Sequence, residues 1–338
     1  MKVIFIIPNQ DSGGAQNFFR RLFHEIDGNF SKELMIETHR GNLIKNALYL
    51  LKHSFNEKLL IISTVNSNKL GLLVRILNPK ILLITRIGNT ISAEVEKHSF
   101  NFLKHKFFYK CLVIFSNAVI VQSESMKTDF INFFKICSKK IIVINNGINF
   151  PRFTFKVPSL NTTKFLLVGN LKKQKGYDIF FRSLEFINTR KNIQFDICGK
   201  EEDISKDHLL ETYNTFDYII NFHGSVDPTS FYKDADCYIL PSIFEGFSNS
   251  LIEALSFGLP SIVSNAPGAN LEVIKDNLNG LIFNNLDPND LASKINSYLA
   301  NKNNFDRQQI ISQAKESYCI KIIARKYISL IMEVSCAA

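Results

Sequence analysis

Residues 237–257 read CYILPSIFEGFSNSLIEALSF, and three kinds of local structure follow one another in this stretch. Residues 237–240 form a short apolar run that Pro241 ends, which predicts a buried strand. Residues 251–257 read as a helix, and the Gly258 that follows is a residue that commonly closes helices. The order of strand, turn and helix predicts one repeat of an α/β sheet.

The turn in this stretch has the composition of an anion site. Ser248, Asn249 and Ser250 can each cap the helix, and the free N–H groups of a helix N-terminus suit a phosphate. Gly246 allows the backbone to approach such a ligand closely.

Two carboxylates, Glu245 and Glu253, bracket the turn. Because a carboxylate would be repelled by a diphosphate, we expect both to accept hydrogen bonds from neutral hydroxyl groups of the same ligand. A diphosphate with hydroxyl groups describes a nucleotide sugar. The alternative is a surface turn with two solvated glutamates, and the pair alone does not decide between them.

The rest of the chain alternates apolar runs with helix-like segments, as a parallel, doubly wound sheet requires. There are two such series, separated by a linker-like segment at 149–163, so the sequence predicts two Rossmann-like domains, at 1–155 and 156–315. A final helical stretch at about 315–334 belongs to a third segment, 316–338. The predicted strands are 3–7, 59–63, 81–84, 118–122, 141–144, 165–169, 195–199, 219–223, 237–240, 261–264 and 281–283.

The composition is that of a globular protein with a substantial core. The 338 residues are 46% apolar and 21% charged. Six scattered cysteines without a C-x-x-C pair predict buried thiols of a reduced, cytosolic protein. Residues 1–155 hold 21 Lys and Arg against 10 Asp and Glu, a net +11, whereas residues 156–338 hold 19 against 21, a net −2. The basic first half predicts an anionic surface as a partner.

Two further segments could approach a phosphate. Gly13 and Gly14 follow the first predicted strand and open the first helix, where they allow the backbone close to an anion. Lys175 precedes a helix in the second series and could reach a diphosphate as a point charge. Each has an ordinary alternative, because glycine-rich turns occur in many folds and loop lysines are usually solvated.

Other cofactor sites are not indicated. The chain lacks the G-x-G-x-x-G spacing of dinucleotide-binding folds and the G-x-x-x-x-G-K-[ST] pattern of P-loops. Asp234 and Asp236 resemble a metal-binding Asp-x-Asp, but they precede a strand, whereas ligands gather at the carboxyl ends of strands. We therefore expect these two aspartates to be structural, and we expect no metal cofactor.

Residues 97–110, KHSFNFLKHKFFYK, contain five aromatic side chains and four lysines but no acid. A helix of this kind can lie in a lipid interface, with aromatic rings in the membrane and lysines at anionic headgroups. The alternative is an ordinary packed helix with a basic outer face. The side chains expected to touch the membrane are Lys104, Lys106, Phe107, Phe108 and Lys110.

Taken together, these segments resemble the retaining glycosyltransferases of family 4, which have the two-domain GT-B architecture. The resemblance covers most of the chain and is strongest around the E-x7-E pair. It rests on the Gly13–Gly14 turn, on 121–124 (VQSE), 144–149 (INNGIN), 168–176 and 224–253, above all on 235–242 (ADCYILPS), EGF at 245–247 and EA at 253–254. It implies two Rossmann-like domains facing across a cleft, acceptor-binding and donor-binding in that order, with a C-terminal helix packing back toward the first.

The resemblance also implies residue roles. Glu245 would lie by the donor sugar, and Glu253 would bind the ribose hydroxyls. Lys175 would neutralise the leaving phosphates, Gly14 would approach the distal phosphate, and Val226 would touch the base. The remaining implied donor contacts are Gly13, Asn170 and Gly246, together with the backbone N–H groups of Phe247, Ser248, Asn249, Ser250 and Leu251.

This sequence departs from the family pattern at two places. The family usually has Arg where this chain has Asn170, so Lys172 or Lys173 would compensate or donor binding would be weaker. The family often has a histidine near the reacting sugar, and the comparable strand end here offers Arg86 or Asn89 as catalytic candidates.

The sequence thus predicts a retaining, metal-independent hexosyltransferase of cell-surface polysaccharide synthesis, in the cytoplasm at the inner face of the cell membrane. Its predicted partners are a nucleotide diphosphate sugar, a lipid-linked or oligosaccharide acceptor and an anionic membrane surface, with no nucleic acid. The alternatives are a nucleotide-sugar epimerase or hydrolase of the same fold and a non-catalytic glycan- or lipid-binding module.

Overall fold

The structure is a computed structural model that describes the chain except residues 9–13, 29, 37–42, 65–66, 93–101, 137–138, 153–161, 190–191, 214–217 and 338, and except the side chains of 36, 102 and 103. The chain divides into two compact units. The first comprises Met1–Asn149 and Tyr318–Ala338, and the second comprises Phe150–Ser317.

The first unit is built on a six-stranded parallel sheet with strand order β2-β1-β3-β4-β5-β6. The strands are β1 (Lys2–Ile7), β2 (Ser31–Ile36), β3 (Leu59–Thr64), β4 (Leu82–Arg86), β5 (Ala118–Val121) and β6 (Ile141–Val143). The described helices between them are α1 (Gly14–Glu25), α2 (Leu43–Asn56), α3 (Asn68–Leu77), α4 (Phe102–Phe115) and α5 (Glu124–Phe134).

Both faces of this sheet are covered, which explains why its central strands are apolar without alternation. Phe5 of β1 points into a core cluster that includes Phe18, Phe19 and Leu22 of α1. Its neighbours Ile4 and Ile6 point the other way, into a cluster shared with α2 and α3. The helices α3, α4 and α5 cover the β5 end of that second face.

The second unit repeats the architecture with strand order β12-β11-β10-β7-β8-β9, again all parallel. The strands are β7 (Thr163–Val168), β8 (Ile193–Cys198), β9 (Ile219–Gly224), β10 (Cys237–Leu240), β11 (Ser261–Ser264) and β12 (Gly280–Phe283). The described helices are α6 (Tyr177–Ser183), α7 (Lys206–Thr212), α8 (Thr229–Asp234), α9 (Asn249–Ser256), α10 (Asn270–Val273), α11 (Pro288–Asn301) and α12 (Arg307–Tyr318).

The end of the chain differs from the single helical stretch that the sequence predicts. The helix α12 stops at Tyr318, and a second helix, α13 (Ile320–Cys336), starts after Cys319, whose backbone is extended. Cys319 pairs with Ile148 as a short parallel bridge, in which Ile148 N donates to Tyr318 O and Ile320 N donates to Ile148 O. This pairing across the sequence ends α12, and α13 then packs on the α1 side of the first sheet.

The predicted fold class is confirmed: two doubly wound parallel sheets account for the described residues. The apolar runs do not predict β2, an edge strand whose first four residues are SKEL and whose described side chains are exposed or half-buried. None of the described helices is both long and apolar enough to cross a membrane.

Candidate functional site

Apart from Val226, the predicted site residues of the second unit lie after the ends of β7 and β10. These strands are neighbours, so the loop after β7 and the turn after β10 meet at one edge of the sheet. The backbone N–H of Ile243 donates to Gln174 O at 2.8 Å, and Gln174 Nε2 donates to Phe244 O at 3.0 Å. The two segments therefore hold each other in place.

Lys175 and Glu245 form the centre of this edge. The Lys175 ammonium lies 2.6 Å from Glu245 Oε1, and Ser242 Oγ donates to the same oxygen at 2.8 Å. Glu245 is 7% exposed, whereas 22% of the Lys175 side chain is exposed. The lysine compensates the cost of burying the Glu245 carboxylate. The exposed part of the lysine is accessible to an anionic ligand.

Glycines shape the space around this pair. A Cβ at Gly169 would lie 3.2 Å from Lys175 Cε, so the lysine stem runs directly over that glycine. A Cβ at Gly268 would collide with the Glu245 carbonyl oxygen, and the Glu245 N–H donates to Pro267 O at 2.9 Å. The backbone of Glu245 is therefore fixed from both sides.

The helix α9 begins beside Glu245, close to where the sequence predicts it. Ser248 is its N-cap, and Ser248 Oγ accepts from Leu251 N at 3.4 Å. Ser250 Oγ lies 3.1 Å from Ser248 Oγ and accepts from Tyr238 Oη at 2.8 Å. Burial raises the pKa of Tyr238, which keeps this hydroxyl protonated and able to donate. The start of α9 thus combines helix N–H groups with a chain of hydroxyls.

Glu253 lies further along α9 with a different neighbour. It is half-buried, and its Oε2 is 3.5 Å from Tyr232 Oη. The Tyr232 ring stacks on Phe257 at 5.4 Å between centroids, and burial raises the pKa of Tyr232 well above its ordinary value. Each glutamate of the pair therefore has its own hydroxyl partner, Ser242 for Glu245 and Tyr232 for Glu253.

Asn170 belongs to a charged cluster that the sequence alone does not predict. Its Nδ2 donates to Glu202 Oε1 at 2.6 Å, and Glu202 also binds Lys172 Nζ at 2.7 Å and Lys200 Nζ at 3.1 Å. Burial acts to raise the pKa of Glu202, but the bonds from the two lysines outweigh it and hold the pKa below its usual range. Lys172, a predicted substitute for the family arginine, is thus paired with Glu202, while Lys173 is exposed.

The end of β9 carries Val226, which is 45% exposed after a tight turn at Gly224. Gly224 has φ +66°, and a Cβ there would meet nothing within 4 Å. His223, in the same strand, is 2.8 Å from Asp196 Oδ1, which also accepts from Asn221 Nδ2 at 3.0 Å. This network is a satisfied polar contact between β8 and β9, in line with a structural histidine.

In the first unit, Gly13 lies outside the described residues, and Gly14 is the exposed first residue of α1. Asn89 is half-buried, and its Oδ1 accepts from Thr90 N at 3.0 Å. Arg86, the last residue of β4, is only 1% exposed. Burial lowers the pKa of its guanidinium.

The Arg86 guanidinium contacts neutral groups of several other elements. It donates to Thr64 Oγ1 at 3.3 Å and to Asn146 Oδ1, and it lies 4.9 Å from the centre of the Phe18 ring. From this position Arg86 joins the ends of β3 and β4 to α1 and to the segment after β6.

The two aspartates judged structural lie at the opposite edge of the second sheet. Asp236 Oδ2 accepts from Lys164 N at 2.8 Å, at the amino ends of β10 and β7, and Asp234 ends α8. Within the described ranges, no group of three or more His, Cys, Asp or Glu side chains is placed to share a metal ion.

The fold and the second unit match known glycosyltransferases. Residues 151–317, which make up nearly all of the second unit, match the family described as Glycosyl transferases group 1. The Anabaena protein Alr3699/HepE, solved in complex with UDP and glucose, superposes with a TM-score of 0.79 over 98% of this chain and 100% of that chain, at 17% identity. The predicted GT-B architecture is thereby confirmed as the fold.

Two characterised bacterial enzymes are related in sequence. The UDP-Gal:alpha-D-GlcNAc-diphosphoundecaprenol alpha-1,3-galactosyltransferase of Escherichia coli is 28% identical over 279 residues, which cover 75% of this chain and 69% of that enzyme. The N-acetylgalactosamine-N,N'-diacetylbacillosaminyl-diphospho-undecaprenol 4-alpha-N-acetylgalactosaminyltransferase of Campylobacter jejuni is 25% identical over 64% of this chain. The match covers 60% of the Campylobacter enzyme, so this chain spans less than two thirds of it.

Proposed function

We propose that this protein is a retaining, metal-independent glycosyltransferase of family 4 that moves a hexose-type sugar from a nucleotide diphosphate sugar to a lipid-linked glycan. The observation that carries the proposal is the Lys175–Glu245 pair, 2.6 Å apart at the carboxyl edge of a parallel sheet and beside the N-terminus of α9. A partly exposed cation, helix N–H groups and a carboxylate are the groups that a sugar diphosphate requires.

Each residue of the site has a proposed task. Lys175 exchanges its bond to Glu245 for the diphosphate, and the backbone N–H groups from Phe247 to Leu251 hold the phosphate and sugar oxygens. Glu245 accepts from a sugar hydroxyl, and Glu253 accepts from the ribose. The remaining proposed donor contacts are Gly13, Gly14, Asn170, Gly246 and Val226.

The proposed reaction does not require a protein side chain to act as a base. The bond between the anomeric carbon and the phosphate oxygen breaks, and the acceptor hydroxyl attacks that carbon from the same face. The departing phosphate oxygen takes the acceptor proton. Fixed positive charge from Lys175 and the N–H groups stabilises the leaving diphosphate, which is where most electrostatic catalysis of such a step would come from. Asn89 is a proposed contact near the reacting sugar, and Arg86 a proposed positioning residue.

A lipid-linked acceptor is supported by the names of the two related enzymes, both of which act on saccharides carried by diphosphoundecaprenol. A relative in Staphylococcus aureus, 30% identical over 52% of this chain, is a capsular polysaccharide biosynthesis glycosyltransferase. We therefore propose cell-surface polysaccharide synthesis as the process, at the inner face of the cell membrane.

The first test is a thermal-shift screen against UDP, GDP, ADP and their sugars, followed by transfer from the stabilising sugar to an undecaprenyl-diphosphate-linked acceptor. We expect transfer to persist in chelator. Glu245→Ala should abolish turnover in a folded protein. Release of the sugar to water with no acceptor product would favour the hydrolase alternative. A binding module would be favoured if neither the wild type nor Glu245→Ala turned over substrate and Glu245→Ala kept full ligand affinity.

A further inference from the structure

Exposed apolar side chains of the first unit are concentrated on three consecutive helices. Among the described residues of this unit, all but one of the large hydrophobic side chains that are exposed lie on α2, α3 and α4, and the exception is Met332 on α13. We call this surface the α2–α3–α4 face. Its exposed apolar members are Leu43, Ile44, Leu48, Tyr49, Phe55, Ile76, Leu77, Phe107, Ile114 and Phe115.

On α2 and α4 these side chains form stripes along the outer side of the helix. Ile44, Leu48 and Phe55, which are 73%, 61% and 81% exposed, follow one another at helical spacing together with the exposed Lys52. On α4 the same spacing brings Phe107, 72% exposed, and Ile114, 65% exposed, into line with Lys104 and Lys110. Each stripe therefore mixes apolar and basic side chains.

The three helices are neighbours on one side of the first sheet. Ala47 of α2 and Val74 of α3 are buried in the same core cluster, and α3 also packs against α4. Their outer sides consequently lie side by side, because their inner sides pack on the sheet and on each other. Phe108, in contrast, is half-buried and packs against the core cluster around Leu112 and Phe130.

The charged side chains of the three helices themselves are all basic. None of the three helices contains Asp or Glu. Two described acids of neighbouring segments have cationic partners: Glu33 binds Lys2 Nζ at 2.7 Å and also accepts from Tyr49 Oη at 2.7 Å, and Glu57 lies 4.0 Å from the amino terminus. The basic residues of the three helices are Lys45, Lys52, Lys69, Arg75, Lys104, Lys106 and Lys110.

We propose that the α2–α3–α4 face lies on the surface of an anionic lipid bilayer. Neighbouring exposed apolar side chains often mark a contact surface, and lysines interspersed with them are complementary to headgroups above a hydrocarbon layer. Exposed apolar residues of the second unit, such as Phe186, Leu210 and Leu271, are instead distributed over separate elements. The sequence predicts a contact through α4 alone, and the structure adds α2 and α3. The proposal does not depend on sugar transfer.

The test is co-sedimentation of the full chain with phosphatidylcholine vesicles that do or do not contain phosphatidylglycerol. We expect binding only to the anionic vesicles, and weaker binding as salt increases. A triple variant, Ile44→Ser, Leu48→Ser and Phe55→Ser, should lower the vesicle affinity at least about tenfold, because it removes exposed apolar contacts from a helix outside the α4 segment. Lys52→Gln with Lys104→Gln should lower it by about tenfold as well.

Matched changes on the second unit provide the controls. Phe186→Ser, Leu210→Ser and Leu271→Ser remove comparable exposed apolar side chains, and Lys302→Gln with Lys315→Gln removes two exposed lysines; both variants should bind vesicles like the wild type. All variants should keep the thermal shift given by a nucleoside diphosphate, which separates membrane binding from the donor site. Unchanged binding of the α2 variant, or a wild-type dimer in solution that this variant dissociates, would overturn the proposal.

Discussion

The first and second units each place a cationic side chain at the carboxyl edge of a parallel sheet, but in opposite surroundings. Arg86 is 1% exposed and bonds only to neutral groups among the described residues, whereas Lys175 is partly exposed and bonds to Glu245. A buried cation that contacts no carboxylate is fixed by the packing around it. It has no ion-pair partner that a ligand could replace. The exposed half of an ion pair can leave that pair for a ligand. We therefore propose that Lys175 binds the ligand directly, and that Arg86 acts only by stabilising and positioning the segments around it.

The largest expected effect concerns the exposed cation. We expect Lys175→Met to lower kcat/KM for transfer by about 10²–10³, as for removal of one fixed group that stabilises developing charge. The variant should also be less stable, because Glu245 loses its cation while staying buried. Adding Glu245→Gln should restore stability and leave transfer low. Lys302→Met serves as a control, and a normal rate in Lys175→Met would contradict the assignment.

The buried cation should show the reverse pattern. Arg86→Ala removes a large, fully buried side chain together with its hydrogen bond to Asn146 Oδ1, so we expect the free energy of unfolding to fall by about 2–4 kcal/mol. Urea unfolding measures this, with the exposed Arg325→Ala as the control. Binding of nucleoside diphosphate to the folded variant should be unchanged. Weaker binding in the folded protein would instead give Arg86 a place at the donor.

The sequence predicts those features of the two units that depend on one short segment of the chain. Lys175, Glu245 and Ser248 each lie in a short strand–loop–helix segment, and the apolar runs mark eleven of the strands because burial on both faces leaves a continuous signal. The strand Ser31–Ile36 is not predicted, because an edge strand does not need a continuous apolar run.

Contacts between distant segments could not be predicted in the same way. Glu202 reaches Asn170 from the loop after β8, and the helix break at Cys319 exists because Ile148 pairs there. The contribution of α2 to an exposed apolar face becomes visible only when its outer side is known. No spacing within one segment encodes these three features.

Two glycines with nearly the same backbone test how tightly the Lys175 loop is fixed to the turn after β10. Gly176 has φ +69° and Gly224 has φ +66°, so alanine at either should cost about 1 kcal/mol from the backbone alone. Only at Gly176 would the Cβ also collide with Pro241 O. We expect Gly176→Ala to lose more stability in urea unfolding and to weaken nucleoside diphosphate binding. Equal losses of stability at the two positions would mean that the loop can move away from the turn.

The smallest expected effect compares two helix caps, one in each unit. Ser123 Oγ accepts from Met126 N at 3.1 Å at the start of α5, and Ser248 Oγ accepts from Leu251 N at 3.4 Å at the start of α9. Replacing either by Ala should lower stability by about 1 kcal/mol, because one helix N–H loses its acceptor. Calorimetry should then separate them: only Ser248→Ala should weaken nucleoside diphosphate binding, since only the N-terminus of α9 is proposed to hold phosphate. A similar loss of affinity in Ser123→Ala would mean that stability alone controls binding, and the contrast between the two units would fail.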